Sequence, residues 1–564
     1  MAVLATSAAE DGRVALIAAL ERAVGRRHVL TGRRGMRRFV TGYRTGQGQA
    51  LAVVRPGSLV EQWRAIRLCV EHGAAIILQA ANTGLTGGST PDGDYSRPVV
   101  VINVMRLRGI HLLGGGAQVL CLPGARLHDL ERLLAPIGRE PHSVIGSSCI
   151  GASVIGGVCN NSGGALVRRG PAYTELALYA VVDGAGELRL VNQLGIAIDR
   201  DPEAVLGAVE RGDFAASDVH WPDDRAASAS DYEIRVRSIH ADTPARFNAD
   251  PDHLCGASGS AGKVASFAVR LNTFPHATGP TTFYVGTGDP AWLAALRRAT
   301  LSADMPLPIA AEYVHREAFD LAAAYGKDMF VAIEKLGAQR LPALFAAKAR
   351  AEALLSSSLV ERMLQATGRL LPGHLPPRLI DFRDRYEHHL MLQVDGAGRD
   401  AMRALLAEHA SGGAGDFFEC TPVESDKAFR HRFVVAGAAI RYAAVRPTGG
   451  LLALDIALPR NCEDWFERLP DEVAGAISHR IYYGHFLCHV MHQDYVLVPG
   501  ADAAAVKAAI LRTLDARGAC YPAEHNVGHA YKAAPALEAH YRALDPLNVF
   551  NPGIGQTSRE PGWR

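Results

Sequence analysis

The chain has 564 residues, 48% hydrophobic and 21% charged, with 59 basic against 58 acidic residues and a formal net charge of +1. Such a length exceeds one hydrophobic core, so two or three domains are expected, and the near balance of charge argues against a nucleic-acid partner. Nine cysteines without a C-x-x-C pair point to a reducing compartment and away from a disulfide framework or a cysteine-bound metal.

The opening MAVLATSAAEDGR has no basic region followed by an apolar core, so no signal peptide is expected. No stretch of about 18 uncharged apolar residues follows, which excludes an expected transmembrane helix. ALAVV (50–54) reads as a short buried strand. Ser58 with Glu61 forms a capping box for an amphipathic helix through Val70, and AAIILQ (74–79) is a second strand running into the loop AANTGLTGGS (80–89). This β-α-β unit lacks the G-x-G-x-x-G that joins strand to helix in a Rossmann fold. A second glycine-rich run, IGSSCIGASVIGGVCNNSGG, spans 145–164. Small residues let main-chain N–H groups reach a phosphate, so the two loops suggest a dinucleotide held from two sides; the alternative is a pair of turns that need positive φ.

GSAGKVASFAVRLNTF (259–274) is a glycine turn feeding an alternating strand. Beyond Pro275 the pattern becomes strands (HHLMLQV, GDFFEC, LLALDIAL, IYYGHFLCHVMHQDYVLV) separated by helices such as DAMRALLAEHA and AAAVKAAILRTLDA. An antiparallel sheet backed by helices is expected there. Residues 333–385 are basic and poorly patterned: nine Lys or Arg lie between Lys335 and Arg385 against Glu352, Glu361, Asp381 and Asp384. Such a segment is a solvated face or a contact for anionic lipid.

The loop AANTGLTGGS, the run GREPHSVIGSSCIGASVIGGVCNNSGG, and the tail motifs AEHNVGHAYK and DPLNVFNPGIG resemble the quinone-dependent D-lactate dehydrogenases, within the vanillyl-alcohol-oxidase or PCMH-type FAD-binding superfamily. The resemblance runs from about residue 10 to 560. It implies an α+β chain: a PCMH-type FAD-binding domain of two subdomains (1–275), an antiparallel cap domain (276–520) with a membrane-contacting segment near 333–385, and a C-terminal segment (521–564) returning to the FAD domain. The implied reaction is oxidation of D-lactate to pyruvate, with electrons passed to a membrane quinone at the cytoplasmic face of a bacterial inner membrane. Alternatives are another D-2-hydroxyacid dehydrogenase, acting on 2-hydroxyglutarate or glycolate, and a noncatalytic peripheral membrane protein.

Carried over residue by residue, the resemblance puts Ala80, Ala81, Asn82, Thr83, Gly84, Gly88 and Ser89 on the FAD, with Gly146, Ser153, Asn161 and Gly163 from the second loop and Gly262, Val264 and Ser266 from the turn. Covalently flavinylated relatives place a His in the first loop; none lies between Gln79 and Thr90, so noncovalent FAD is expected. A 2-hydroxy acid gives up a hydroxyl proton as its hydride leaves, which calls for a base; by the resemblance the Glu524-His525 pair supplies it, His525 as base, with Asn526 where the family more often has glycine. The alternative is a His that only packs or hydrogen-bonds. His485 and His492 keep the spacing of the family's metal histidines without the intervening G-D-G-N turn, so with Glu524 they form a candidate zinc or manganese site or a polar pocket lining. Arg378, Arg383 and Arg385 precede His388 and His389; a guanidinium matches a carboxylate, so this segment, Arg383 and His388 in particular, is where substrate contacts are expected, and the alternative for any single one of these arginines is a surface charge.

Overall fold

A computed structural model describes residues 2–142, 150–198, 200–337 and 340–564. The apolar segments build three sheets. The first orders Val29–Leu30, Ala52–Val54, Val99–Asn103 and Ala75–Gln79, the last three parallel. Ala52, Val54, Ile76 and Ile102 face helices Ala2–Val24 and Leu59–Glu71, while Val53, Ile77 and Val101 face Met36 and Phe39 of the helix Arg33–Val40. Burial on both sides is why these strands read as unbroken apolar runs. Ser58 Oγ accepts from the Glu61 N–H at 3.1 Å, but the Glu61 carboxylate accepts from Gly57, not from Ser58, so the expected capping box is one-sided.

The second sheet is antiparallel, in the order Ile110–Leu113, Gln118–Cys121, Ala265–Pro275, Ala177–Val182 and Leu188–Asn192, with Arg139–Pro141 pairing the end of the central strand. The third has seven antiparallel strands: Gly415–Glu419, Thr281–Thr287, His388–Val394, Ala310–His315, Ile477–His485, Val490–Leu497 and Leu451–Ala457. Helices Pro290–Ser302, Arg399–Ala410 and Ala503–Ala516 pack on one face, and Arg316–Tyr325, Pro422–Phe433 and Val435–Val445 on the other. The chain is α+β as expected. The tail then crosses both halves: Cys520 bridges Ala457 in the third sheet, and Phe550 bridges Ile76 in the first.

One further expectation changes. IYYGHFLCHVMHQDYVLV is a hairpin, not one strand, and turns at Phe486–His489 with His489 at φ 55°. The turn lacks the usual Gly, Pro or Asn signal because Phe486, Leu487 and Cys488 are buried in the core. Residues 333–385 are mostly helical, within Lys327–Leu336, Leu341–Leu354, Ser357–Leu370 and Pro377–Arg385. Among the described residues no helix is long and apolar enough to cross a membrane.

Candidate active site

Cross-strand register assembles the site. Glu312 lies opposite His485, Tyr483 opposite His492, and His492 opposite Asp455. Directly paired residues share a face, and so do residues two apart, so four adjacent strands present Glu312, His485, His492 and Asp455 in one row. The hairpin is what brings His485 and His492 to the same side. The extended segment beside the edge strand adds Glu524 and His525: Asp455 Oδ2 accepts from the Glu524 N–H at 2.7 Å and lies 2.8 Å from His525 Nδ1.

Glu524 is the hub. Its Oε1 accepts from Arg246 Nη2 at 2.6 Å, and its Oε2 lies 3.2 Å from His485 Nε2 and 3.8 Å from His492 Nε2. His485 Nδ1 lies 2.6 Å from Glu312 Oε1, and Arg432 Nε 2.9 Å from Glu312 Oε2. Burial would raise the Glu524 carboxyl, but His485 and Arg246 overcome it and hold the group well below the ordinary carboxylate range. Burial opposes charge on His485 too, yet Glu312 and Glu524 raise it to about 9; His492, where burial dominates, drops to about 3. For His525 burial is outweighed by Asp455, which raises it. His485, His492 and Glu524 can each turn a ligand atom inward, all within 4.8 Å of one another. A Glu312–His485 hydrogen bond behind them is the usual orienting partner of a metal-bound imidazole.

The glycine loops converge on the same place. Among the described residues, no backbone N–H from Ala81 to Ser89 donates a hydrogen bond, and a side chain at Gly84 would meet open space. Asn82, at φ 54°, anchors the loop by donating to the Thr41 carbonyl at 2.9 Å and accepting from Ser89 Oγ at 3.0 Å. Asn551 donates to the carbonyls of Gly88 and Ala261 at 2.8 and 2.7 Å, tying the first loop to the turn at Gly262. Asn526 accepts from Thr86 through its carbonyl and donates to Asn160, so it staples the two loops together. Ser153 caps the helix Val154–Cys159, and Asn161 donates to the His253 carbonyl. Val264 is buried in the core and Ser266 lies 3.8 Å from Cys159 Sγ. Gly163 touches the hub, for a Cβ there would lie 2.3 Å from Glu524 Oε1 and 3.0 Å from Arg246 Nε. Gly146 falls outside the described residues.

Arg383 and His388 are not brought to this cluster. The Arg383 guanidinium is taken up by Asp320 at 2.6 and 2.8 Å and Asp384 at 2.7 Å. Its helix packs through Phe382 on Tyr284 of the strand Thr281–Thr287, three strands from that of His485, or roughly 14 Å at normal strand spacing. His388 pairs with His315 and lies 2.8 Å from the Tyr313 hydroxyl, so it sits on the sheet face opposite Glu312, neutral because burial lowers it to about 4. Sequence reading also passed over Asp455, Glu312, Arg246 and Arg432. A signal existed for the first two: each is a lone acid in an apolar strand, LLALDIA and AAEYVH, and a buried carboxylate requires a partner.

Comparison with known proteins shows the family of this chain. A family described as "D-lactate dehydrogenase, membrane binding" matches residues 282–563, and one described as "FAD binding domain" matches residues 50–192. The chain is 51% identical over 554 residues to the quinone-dependent D-lactate dehydrogenase of Escherichia coli, covering 97% of each chain. It is 45% identical over 558 residues to that of Corynebacterium glutamicum, again covering 97% of each. Among solved structures, p-cresol methylhydroxylase with substrate bound superposes with a TM-score of 0.59 at 12% identity over 97% of both chains. A 4-ethylphenol oxidase from Gulosibacter chungangensis gives 0.57 at 13% over 98% of both. At that identity these two carry the fold alone.

Proposed function

Because the chain belongs to the family of quinone-dependent D-lactate dehydrogenases, we propose that it oxidises D-lactate to pyruvate with noncovalent FAD and passes the electrons to a membrane quinone. The observation that carries the chemistry is the His525–Asp455 pair beside the Glu524 hub. Asp455 accepts from Nδ1–H of His525, which fixes the tautomer that leaves Nε2 free to take the hydroxyl proton of the substrate. Asp455 also stabilises the imidazolium that results.

The unclaimed N–H groups between Ala81 and Ser89, and the open side at Gly84, fit a pyrophosphate. Ala80, Asn82, Thr83, Gly88 and Gly262 would complete the cradle, and the lack of a His between Gln79 and Thr90 supports noncovalent attachment. Bound there, FAD would supply the hydride acceptor for C2 and the donor to quinone. His485, His492 and Glu524 fit a zinc or manganese ion, which would supply Lewis-acid polarisation of a 2-hydroxy acid. With or without an ion, Arg246 fixes Glu524 Oε1, so that Oε2 faces the two histidines.

The helix Ser357–Leu370 supports attachment to a membrane surface, which we read as the cytoplasmic face of a bacterial inner membrane. Leu359, Met363 and Leu370 are 45, 56 and 86% exposed along one face, flanked by exposed Arg362 and Arg369. Leucines in the interface and arginines on anionic phosphates are what an interfacial helix needs. Lys348, by contrast, is paired to Glu361 and Glu352 and Leu341 is buried, so neither joins the lipid contact. The test is the purified protein itself. It should be yellow, and acid should release FAD into the supernatant; a colourless protein that takes up no FAD would refute the cofactor assignment. Elemental analysis before and after chelation decides the metal.

A further inference from the structure

Between Arg22 and Val60 the chain has nine arginines and no acidic residue, a concentration that the net charge of +1 conceals. It exceeds the excess of the segment 335–385. Four of these arginines lie on the helix Arg33–Val40. At 100° per residue, Arg33, Arg34, Arg37 and Arg38 occupy an arc of about 140°, while Met36 and Phe39 point the other way into the first sheet. All four are exposed, and among the described residues none is paired with a carboxylate. Arg44, on the loop that follows, is also exposed, and its neighbour Thr45 donates to the Leu85 carbonyl at 2.7 Å, so the patch adjoins the first glycine loop. Tyr43 beside it is 51% exposed.

We propose that the arginine face of the helix Arg33–Val40 is a second contact for an anionic bilayer, carried by the cofactor half of the molecule and outside the matched membrane-binding residues 282–563. The chemistry selects the partner. A guanidinium binds phosphate bidentately; four on one rigid arc match a plane of headgroups, and an exposed Tyr suits the interface. A nucleic acid would also attract the arginines but would leave the leucine stripe on Ser357–Leu370 without a role. Two separated contacts would fix the tilt of the molecule on the membrane. The inference rests on the reading of the protein as a membrane-surface enzyme.

The FAD-loaded full-length protein, its R33Q/R34Q/R37Q/R38Q variant and the matching four-Lys variant are tested by co-sedimentation. The vesicles are phosphatidylcholine with and without about a third phosphatidylglycerol, at low salt and at ~0.5 M salt. At low salt the Gln variant should bind anionic vesicles at least ~10-fold more weakly than wild type. The Lys variant should bind more strongly than the Gln variant, and FAD content and flavin reduction by D-lactate should stay unchanged. Undiminished binding by the Gln variant overturns the inference and leaves the membrane reading intact; failure of the wild type to bind any vesicle overturns both. Unchanged vesicle binding with a salt-dependent loss of kcat/KM for D-lactate, or with lost retention on duplex DNA, would reassign the patch and equally overturn it.

Discussion

Replacing Asp455 by Asn changes the base without moving it far. Asp455 is buried and accepts two hydrogen bonds, from His525 Nδ1 at 2.8 Å and from the Glu524 N–H at 2.7 Å. Both donors reach the same oxygen, Oδ2, so the amide oxygen of an Asn can still accept from them while the negative charge is lost. A charge-assisted hydrogen bond contributes about 1.5–3 kcal/mol, so losing it as His525 becomes an imidazolium costs roughly 10- to 150-fold. The retained amide oxygen still accepts from Nδ1–H and keeps the tautomer, so the loss should stay within that range. The pH profile gives an independent sign. Asp455 raises His525 above its ordinary 6.5, and a base must be neutral to accept a proton, so wild-type flavin reduction should rise with pH through a limb above 6.5. Without the carboxylate the limb moves to lower pH. Anaerobic stopped-flow bleaching of the flavin by D-lactate, between pH 5 and pH 9, measures both. Combining the change with His525→Ala should add little to either single loss, because the pair acts as a unit. An unaltered rate with an unaltered limb would refute the dyad.

Replacing Leu359, Met363 and Leu370 with Gln removes nearly two side chains' worth of exposed apolar surface, or about 3–5 kcal/mol of burial in lipid. Vesicle partitioning at high salt should fall by ~10² or more while flavin reduction persists; equal binding would make the stripe a solvated face. Gly163→Ala sets a methyl against the Glu524 carboxylate and Arg246, so kcat should drop with FAD still bound, and a normal kcat would show that the hub yields freely. Arg378 holds Glu424 at about 2, below its ordinary 4.5. Its stabilisation is therefore complete above pH 4.5 and lost as pH falls toward 2. Thermal unfolding of Glu424→Gln should be less sensitive to pH than wild type in that window, and parallel curves would refute the assignment.

What the sequence disclosed depended on how local the signal was. The first β-α-β unit and the strands HHLMLQV and LLALDIAL follow from apolar runs, and the glycine loops announce themselves by composition. The row Glu312, His485, His492, Asp455 is set by register between strands far apart in sequence, which no local pattern encodes. The turn Phe486–His489 was hidden because a buried turn is apolar. Arg383 and His388 looked functional because charge and imidazole stood near a strand, and only pairing shows which face each takes. Arg246 lies outside any helix or strand and becomes visible only through its contact with Glu524.

The most direct test is anaerobic addition of D-lactate and of L-lactate to the FAD-loaded protein, followed by a soluble ubiquinone analogue. D-Lactate should bleach the flavin band with release of pyruvate, L-lactate should bleach it far more slowly, and the quinone should restore the oxidised spectrum. Bleaching by neither enantiomer, or a reduced flavin that the quinone leaves unchanged, would contradict the assigned reaction.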